Sequence, residues 1–241
     1  MLERLQSIRP RLQELARLDP HFKLFGAGTH RYQLAPPLAP DKVATFEQLH
    51  GVYLPEDYRA FLLQVGSSGA GPYYGLKVLC DVEHAIGRWD GLEDEPENWC
   101  WGNGLEPDFL SSPFPHQSAF RLHQPPDVEG LSEEEEEAQM QAWEEEAWAD
   151  ELVTGTLCLC EHGCAIRDLL VVSGEGRGHI WTDNRCDVGG LYPVEPNRTR
   201  RPSAPRSNFI PMFVPAESAR TSFLDWYEWW LDWSLAEVKG L

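Results

Sequence analysis

Apolar residues recur at helical spacing in three separate parts of the chain. Leucines at about every third or fourth position of residues 2 to 18 predict a helix, which Pro10 kinks or divides into two pieces. A second helix is predicted to begin with Asp41 as its N-cap and to stop at Gly51. An aromatic helix is predicted from Phe223 to Val238, with one buried face made of Phe223, Trp226, Tyr227, Trp230 and Leu231.

The segment from Leu54 to Leu76 combines a helix, a glycine-rich turn and an aromatic strand. Its helix starts at a proline and carries two acidic residues in the first turn, where the helix dipole favours them. The turn GSSGAGP needs backbone angles that glycine adopts without strain, and residues 73 to 79 are predicted as a strand whose tyrosines are packed. The residues expected to maintain this local structure are Leu54, Pro55, Tyr58, Gly71, Tyr74 and Gly75.

Three further apolar runs predict consecutive strands. These runs are TLCLCEHG, AIRDLLVVSG and GRGHIWTDN, and glycine turns separate them, as in a meander. Residues 193 to 207 are rich in proline, arginine and serine, which predicts an exposed and locally basic loop. The structural residues expected in this half of the chain are Gly163, Gly174, Gly178, Trp181 and Trp226.

Charge limits the classes of partner. The chain has 241 residues and a formal net charge of -19, from 39 acidic and 20 basic residues. Nucleic acid and anionic membrane surfaces repel such a chain, so neither is an expected partner. A hydrophobic fraction of 42% and ten tryptophans indicate a folded protein. Because the chain has neither an apolar stretch of about 18 residues nor an apolar signal core, we expect a cytoplasmic protein.

Acidic side chains are most concentrated at residues 131 to 151, where no basic residue occurs. Ser132 is the predicted N-cap of a helix in this segment. Two interpretations remain open: a solvated or disordered insertion, or a docking surface for a basic protein. In the second interpretation the partner-binding residues are Glu133, Glu134, Glu135, Glu136, Glu137, Glu144, Glu145 and Glu146.

The last helix offers a candidate aromatic anchor. Trp229 and Trp233 fall outside its predicted buried face, so one or both are expected to be exposed. Exposed tryptophans are frequent anchors of protein interfaces. We therefore add Trp233 to the candidate partner-binding residues.

Catalytic motifs are missing from the sequence, which contains no G-x-S-x-G, H-E-x-x-H or G-x-x-x-x-G-K pattern. The run from Cys158 to Cys164 suggests zinc, but its spacing does not match paired C-x2-C turns. In a strand, Cys158 and Cys160 would share one face and act as small apolar side chains. We expect no catalytic residue, no metal and no cofactor. The remaining alternatives are a Cys/His metal-dependent enzyme and an acid–base pair of Asp168 or Asp183 with His162 or His179.

Three blocks of the sequence together resemble the SMI1/KNR4 family of the SUKH superfamily. They are FEQLHGVYLPEDYRAFLLQVGSSGAGPYYGL at residues 46 to 76, LCLCEHGCAIRDLLVVSGEGRGHIW further along, and the closing Phe-x-x-Trp-Tyr-x-x-Trp helix. The resemblance implies a single-domain α+β fold, with a largely antiparallel or mixed central sheet packed by helices, and a non-enzymatic role. Bacterial members look like immunity proteins that neutralise toxins, many of them nucleases, and fungal members are regulatory scaffolds.

These observations combine into one working interpretation. Residues 1 to 40 are predicted to form a helical extension packed on an SMI1/KNR4-like domain at 41 to 241, with an acidic insertion at about 131 to 151. The expected function is that of a monomeric bacterial immunity protein, which occludes the functional surface of a basic toxin. A regulatory or adaptor scaffold without a toxin partner is the main alternative.

Overall fold

The computed structural model describes residues 1 to 79, 108 to 198, 212 to 218 and 220 to 240. The helices of this described part are α1 (Leu2–Leu18), α2 (Ala27–His30), α3 (Pro40–His50), α4 (Glu56–Gln64), α5 (Glu133–Ala147) and α6 (Phe223–Lys239). The strands are β1 (Thr156–Gly163), β2 (Ile166–Val171), β3 (Ile180–Asn184), β4 (Gly190–Pro196) and β5 (Phe213–Pro215). Short 3-10 helices are formed by Asp150–Leu152 and Arg185–Asp187.

The five strands form one sheet in sequence order, and each neighbouring pair is antiparallel. The predicted meander of three strands is therefore confirmed as β1 to β3, and the expected α+β fold has an antiparallel sheet. Trp181 lies at the centre of the sheet, where it pairs with Leu169 on β2 and with Pro193 on β4, and it is fully buried. The turn glycines Gly163, Gly174 and Gly178 all have positive φ angles.

The prediction of an exposed loop from residue 193 onward is wrong at its beginning. Residues 193 to 196 belong to β4, and Val194 is buried. Proline content suggested a loop, yet the carbonyl of Pro193 still accepts a hydrogen bond from the backbone N–H of Ala216. A proline loses only its own donor, so a strand that uses its carbonyl groups can contain one. Residues 199 to 207 lie outside the described residues.

Helix α6 supplies a large part of the core. Its predicted aromatic face is confirmed, because Phe223, Trp226, Tyr227, Trp230 and Leu231 are all buried. Helix α1 packs against α6 through its apolar face, and salt bridges at the rim of this contact join Arg4 to Asp225 and Glu228 at 2.6 Å and Lys239 to Glu14 at 2.9 Å. The residues of the α1 face are Leu5, Ile8, Leu12 and Leu15. Pro10 lies inside α1, which forms one helix over its whole predicted length.

The predicted end of α3 is confirmed, whereas its predicted N-cap is not. Asp41 is not an N-cap, since Ala39 takes that position, Pro40 follows it and Asp41 lies in the first turn. Gly51 ends α3 in a left-handed conformation, as predicted. Pro55 is the N-cap of α4. In this arrangement a proline before or within the first turn starts each helix, because its missing N–H would have no helical partner there.

The prediction of a strand at residues 73 to 79 is wrong. Tyr73 and Gly75 have φ angles of 54° and 96°, which extended strands do not contain. The segment instead follows β1 irregularly, through backbone hydrogen bonds from Tyr74 to Glu161 (3.2 Å) and from Lys77 to Leu159 (2.8 Å). As a result Tyr73 is buried, as expected. Tyr74 is 42% exposed, so the expectation that it is packed in the core is wrong.

The turn at residues 69 to 76 is so tight that it requires glycine at two positions. A Cβ atom at Gly75 would lie 2.4 Å from the carbonyl oxygen of Gly69, and one at Gly71 would lie 3.0 Å from the backbone nitrogen of Leu76. Only glycine fits at such approaches between backbone segments. Leu54 and Tyr58, the predicted structural residues of the preceding helix, are both buried. Within the described residues no helix is both long and apolar enough to cross a membrane.

Candidate functional site

Helix α5 is an ordered helix that carries the acidic surface. Ser132 is its N-cap, as predicted, and forms a reciprocal capping box with Glu135. All eight candidate glutamates are exposed. Within the part of the chain that the structure describes, none of them forms a salt bridge with a lysine or arginine. The carboxylates are therefore available to an external basic group. They are Glu133, Glu134, Glu135, Glu136, Glu137, Glu144, Glu145 and Glu146.

A narrow apolar stripe attaches one side of α5 to the rest of the fold. Ala147 is buried, and the indole N–H of Trp143 donates a hydrogen bond of 3.0 Å to the carbonyl of His123. Trp148, at the end of the helix, is 39% exposed. Because this stripe is so narrow, α5 keeps most of its circumference in solvent.

A buried ion pair holds the C-terminal end of α5. Arg185 and Asp183 are each 1% exposed, and two charge-assisted hydrogen bonds of 2.9 Å join them. The same guanidinium donates to the carbonyls of Ala147 at 3.2 Å and Ala149 at 3.4 Å, and it lies 5.1 Å from the centre of the Trp148 ring. The positive charge of Arg185 is also stabilised there by the negative C-terminal end of the helix dipole. The sheet thus positions the acidic helix through one arginine.

The expected aromatic anchor is not an exposed surface. Trp233 is 8% exposed, so the prediction that it projects into solvent is wrong. Trp229 is half-buried, and its indole N–H donates to the carbonyl of Met212 at 3.1 Å. The two rings lie beside each other, with centroids 6.3 Å apart. Met212, next to β5, therefore contacts the side of α6 that lies outside the main buried face, and helical periodicity does not predict this contact.

A second cluster of polar side chains lies inside the fold, around Asp168 on β2. Asp168 is fully buried. Thr182 donates to its Oδ1 at 2.6 Å, and the indole N–H of Trp226 donates to its Oδ2 at 3.0 Å. His162 Nε2 lies 3.0 Å from Oδ1, and the thiol of Cys160 lies 3.9 Å from Oδ2. One carboxylate is therefore surrounded by donors from β1, β3 and α6.

Only part of the predicted set of chemical residues meets here. Cys160, His162 and Asp168 come together, whereas the acid–base alternatives Asp183 and His179 do not join them: Asp183 pairs with Arg185, and His179 forms a bridge to the residue before α6. Sequence reasoning missed Thr182, Trp226 and Tyr73 as neighbours of Asp168. The ring of Tyr73 stacks on that of His162 with centroids 3.5 Å apart. No sequence pattern connects these segments.

The thiols of this cluster are not exposed nucleophiles. Burial raises the pKa of Cys160 well above the ordinary value of a thiol and raises that of Cys158 to about 11. A buried thiol with a raised pKa stays protonated near neutral pH and reacts slowly. Both cysteines pack with the core, as the sequence predicted. Thiol, imidazole and carboxylate are nevertheless the three ligand types that zinc sites use.

The pattern of helices, glycine turn and strands agrees with a known family. The model of the SMI1/KNR4 family (SUKH-1) matches residues 37 to 182. The chain belongs to this family. The match begins just before α3 and ends within β3, so α1 and α6 lie outside the matched residues of this SMI1/KNR4 chain. No curated protein and no solved structure is significantly similar to it.

Family membership supports a role in protein–protein interaction. SMI1/KNR4 (SUKH-1) proteins are generally non-catalytic and of the immunity type. Within this SMI1/KNR4 chain, the matched residues include the acidic helix α5 and the strand residues of the Asp168 cluster, whereas Trp226 lies beyond them. The division into a 1 to 40 extension and a 41 to 241 domain remains a prediction.

Proposed function

We propose that this SMI1/KNR4 chain is a non-enzymatic, monomeric protein-binding module that acts in the cytoplasm and neutralises a cognate toxin. Helix α5 would cover the functional surface of the toxin with its exposed carboxylates. A nuclease is the fitting class of toxin, because a cleft that holds phosphate groups is itself basic. Attraction between opposite charges would also accelerate encounter between the two proteins.

The observation that carries the proposal is the charge at the end of α5. Glu144, Glu145 and Glu146 occupy its last turn, which contains no basic residue. Carboxylates at that end face the negative pole of the helix dipole and weaken the helix. The N-terminal glutamates, by contrast, stabilise it. A helix selected only for stability would not place three carboxylates in its last turn, so binding to a basic surface accounts for them better.

The direct test is protection in cells. The genes adjacent to its own are searched for a nuclease-type toxin domain, the chain is co-expressed with that domain, and growth is measured. We expect growth to be restored by the wild-type chain. Loss of protection is expected when Glu144, Glu145 and Glu146 are all changed to glutamine. The matched control changes three exposed glutamates outside α5, Glu129→Gln, Glu195→Gln and Glu217→Gln, which remove the same charge.

Stability and binding should move in opposite directions in this experiment. The α5 triple variant should melt at a higher temperature than wild type, because the unfavourable charges at its last turn are gone. Its affinity for the purified toxin domain should fall, and the dependence of affinity on salt should become less steep. Equal loss of affinity in the α5 and control variants would refute a specific role of α5. Binding without protection of growth would instead support the regulatory or adaptor alternative.

A further inference from the structure

Three potential metal ligands converge on one face of the sheet. The thiol of Cys160, the imidazole of His162 and the carboxylate of Asp168 lie within 4.8 Å of one another. Cys160 and His162 are two positions apart on β1, and Asp168 is the cross-strand partner of Cys160 on β2. Side chains at such positions project to the same face of a sheet. The pairing is irregular on both sides of Cys160, and such bulges re-aim side chains.

His162 and Asp168 are close enough for a hydrogen bond but do not form one. Nε2 of His162 is buried and lies 3.0 Å from Asp168 Oδ1, yet the two atoms are not oriented for a hydrogen bond. A buried nitrogen without a hydrogen bond is unfavourable. A cation bound to both atoms would satisfy the nitrogen lone pair and the carboxylate together.

The three ligand atoms lie near the spacing of a tetrahedral site. With zinc bonds to sulfur, nitrogen and oxygen of about 2.0 to 2.3 Å, ligand atoms lie about 3.3 to 3.6 Å apart. His162 Nε2 lies 3.0 Å from Asp168 Oδ1, Cys160 Sγ lies 3.9 Å from Asp168 Oδ2, and one ligand atom from each of the three residues lies within 4.8 Å of the others. Side-chain movements of about 1 Å would bring all three ligand atoms within bonding distance of one ion. Thiolate and imidazole select zinc-like ions over magnesium or calcium.

The groups behind the three ligands are also those that metal sites use. Thr182 and Trp226 donate to the two oxygens of Asp168, and each oxygen retains a lone pair for a metal. The stacked ring of Tyr73 fixes the plane of the His162 imidazole. Such outer contacts orient ligands and typically change metal affinity by about 10- to 100-fold. The His162 side chain as a whole is 16% exposed, so the cluster lies near the surface, although its Nε2 atom is buried.

We propose that Cys160, His162 and Asp168 bind one zinc-class divalent ion. On binding, the Cys160 thiol releases one proton to solvent and its sulfur becomes a ligand, with no change of oxidation state. The ion would cross-link β1 and β2 on the face that α6 covers. The site differs from the zinc interpretation of the sequence, because it uses a carboxylate from the next strand in place of Cys158 and Cys164.

The test uses the full chain, freed of metal by a chelator and then titrated with Co²⁺ and separately with Zn²⁺. We expect one equivalent of Co²⁺ to produce a sulfur-to-cobalt charge-transfer band, and Zn²⁺ to abolish it and to raise the melting temperature. Cys160→Ser should remove the band. The matched control Cys164→Ser, at an exposed cysteine, should keep it. Thr182→Val should weaken binding by about 10- to 100-fold.

Two results would overturn the proposal. One is a wild-type chain that binds no Co²⁺ through sulfur and shows no rise in melting temperature with Zn²⁺. The other is a band that survives in Cys160→Ser but disappears in Cys164→Ser, which would place the ligand at the exposed thiol. The wild-type measurement needs no variant to fold, so it decides the matter even if a change at the buried cysteine prevents folding.

Discussion

Removing the guanidinium of Arg185 should release α5 from the sheet and destabilise the whole protein. Arg185→Met keeps an unbranched side chain but leaves the buried carboxylate of Asp183 without its two hydrogen bonds of 2.9 Å. Breaking one partner from a buried ion pair costs about 3 to 5 kcal/mol. For a domain of this size that corresponds to a fall of about 6 to 20 °C in Tm. It is a large share of a total stability of about 5 to 15 kcal/mol.

Urea unfolding measures the loss, and amide hydrogen exchange locates it. In Arg185→Met, amide exchange should accelerate most at Ala147 and Trp148, because these residues lose their contacts with the guanidinium. The double variant Asp183→Leu with Arg185→Met should lose less than the single variant, because it leaves no unpaired buried charge.

A matched control is Arg177→Met. Arg177 also donates to two backbone carbonyls, but its side chain is exposed and no carboxylate depends on it in the described residues. We expect that variant to lose about 1 kcal/mol. A loss below about 1 kcal/mol in Arg185→Met, with unchanged exchange in α5, would refute the idea that this arginine holds the helix.

Three further predictions concern stability. Burial lowers the pKa of His30 to about 4, so the unfolded chain binds a proton at this histidine before the folded chain does as pH falls. The free energy of unfolding should therefore decrease between about pH 6.5 and pH 4, by about 1.4 kcal/mol per pH unit. His30→Asn should remove this pH dependence in urea unfolding measured at several pH values. Gly26→Ala should cost at least about 2 kcal/mol, because φ is +74° and a Cβ would lie 1.7 Å from a backbone oxygen, whereas Gly28→Ala, with open space, should stabilise the chain in thermal melts. Asp57→Ala should cost about 1 kcal/mol in urea unfolding, because Asp57 Oδ2 accepts the Leu224 N–H in the first turn of α6 at 2.9 Å.

Each of these has a contrary result. An unchanged pH slope in His30→Asn would mean that another group causes it. Equal stability of the two glycine variants would contradict the close backbone approach at Gly26. Unchanged stability of Asp57→Ala would mean that the Ser222 cap of α6 suffices alone.

Sequence periodicity predicted the elements whose signals are local. The aromatic face of α6 and the three strands β1 to β3 follow from spacing alone, and so does the Ser132 N-cap. Failures occurred where distant segments decide the outcome. Tyr73 has the composition of a strand residue, yet it takes a left-handed angle in a turn packed beside β1. Trp233 lies outside the predicted buried face of its helix, yet it is only 8% exposed.

For the polar clusters around Asp168 and Arg185, the sequence indicated some of the residues but not how they are arranged in space. Asp168 and His162 were both candidates, but Tyr73 and Trp226, which complete the surroundings of this pair, come from distant parts of the sequence. The same holds for Arg185, whose partner two positions away is visible in the sequence while its contacts to α5 are not. Burial of charge depends on tertiary packing, which a single sequence does not encode in any short pattern.

The contact between α1 and α6 has a consequence for biosynthesis. Arg4 and Glu228 are 224 positions apart in the chain. At about 5 to 20 residues per second, the ribosome needs roughly 10 to 45 s to make the second helix after the first. During that time the leucine face of α1 has no α6 to pack on. Nascent chains should therefore engage chaperones that bind apolar helices, and a ribosome stalled before α6 should display α1 to proteases.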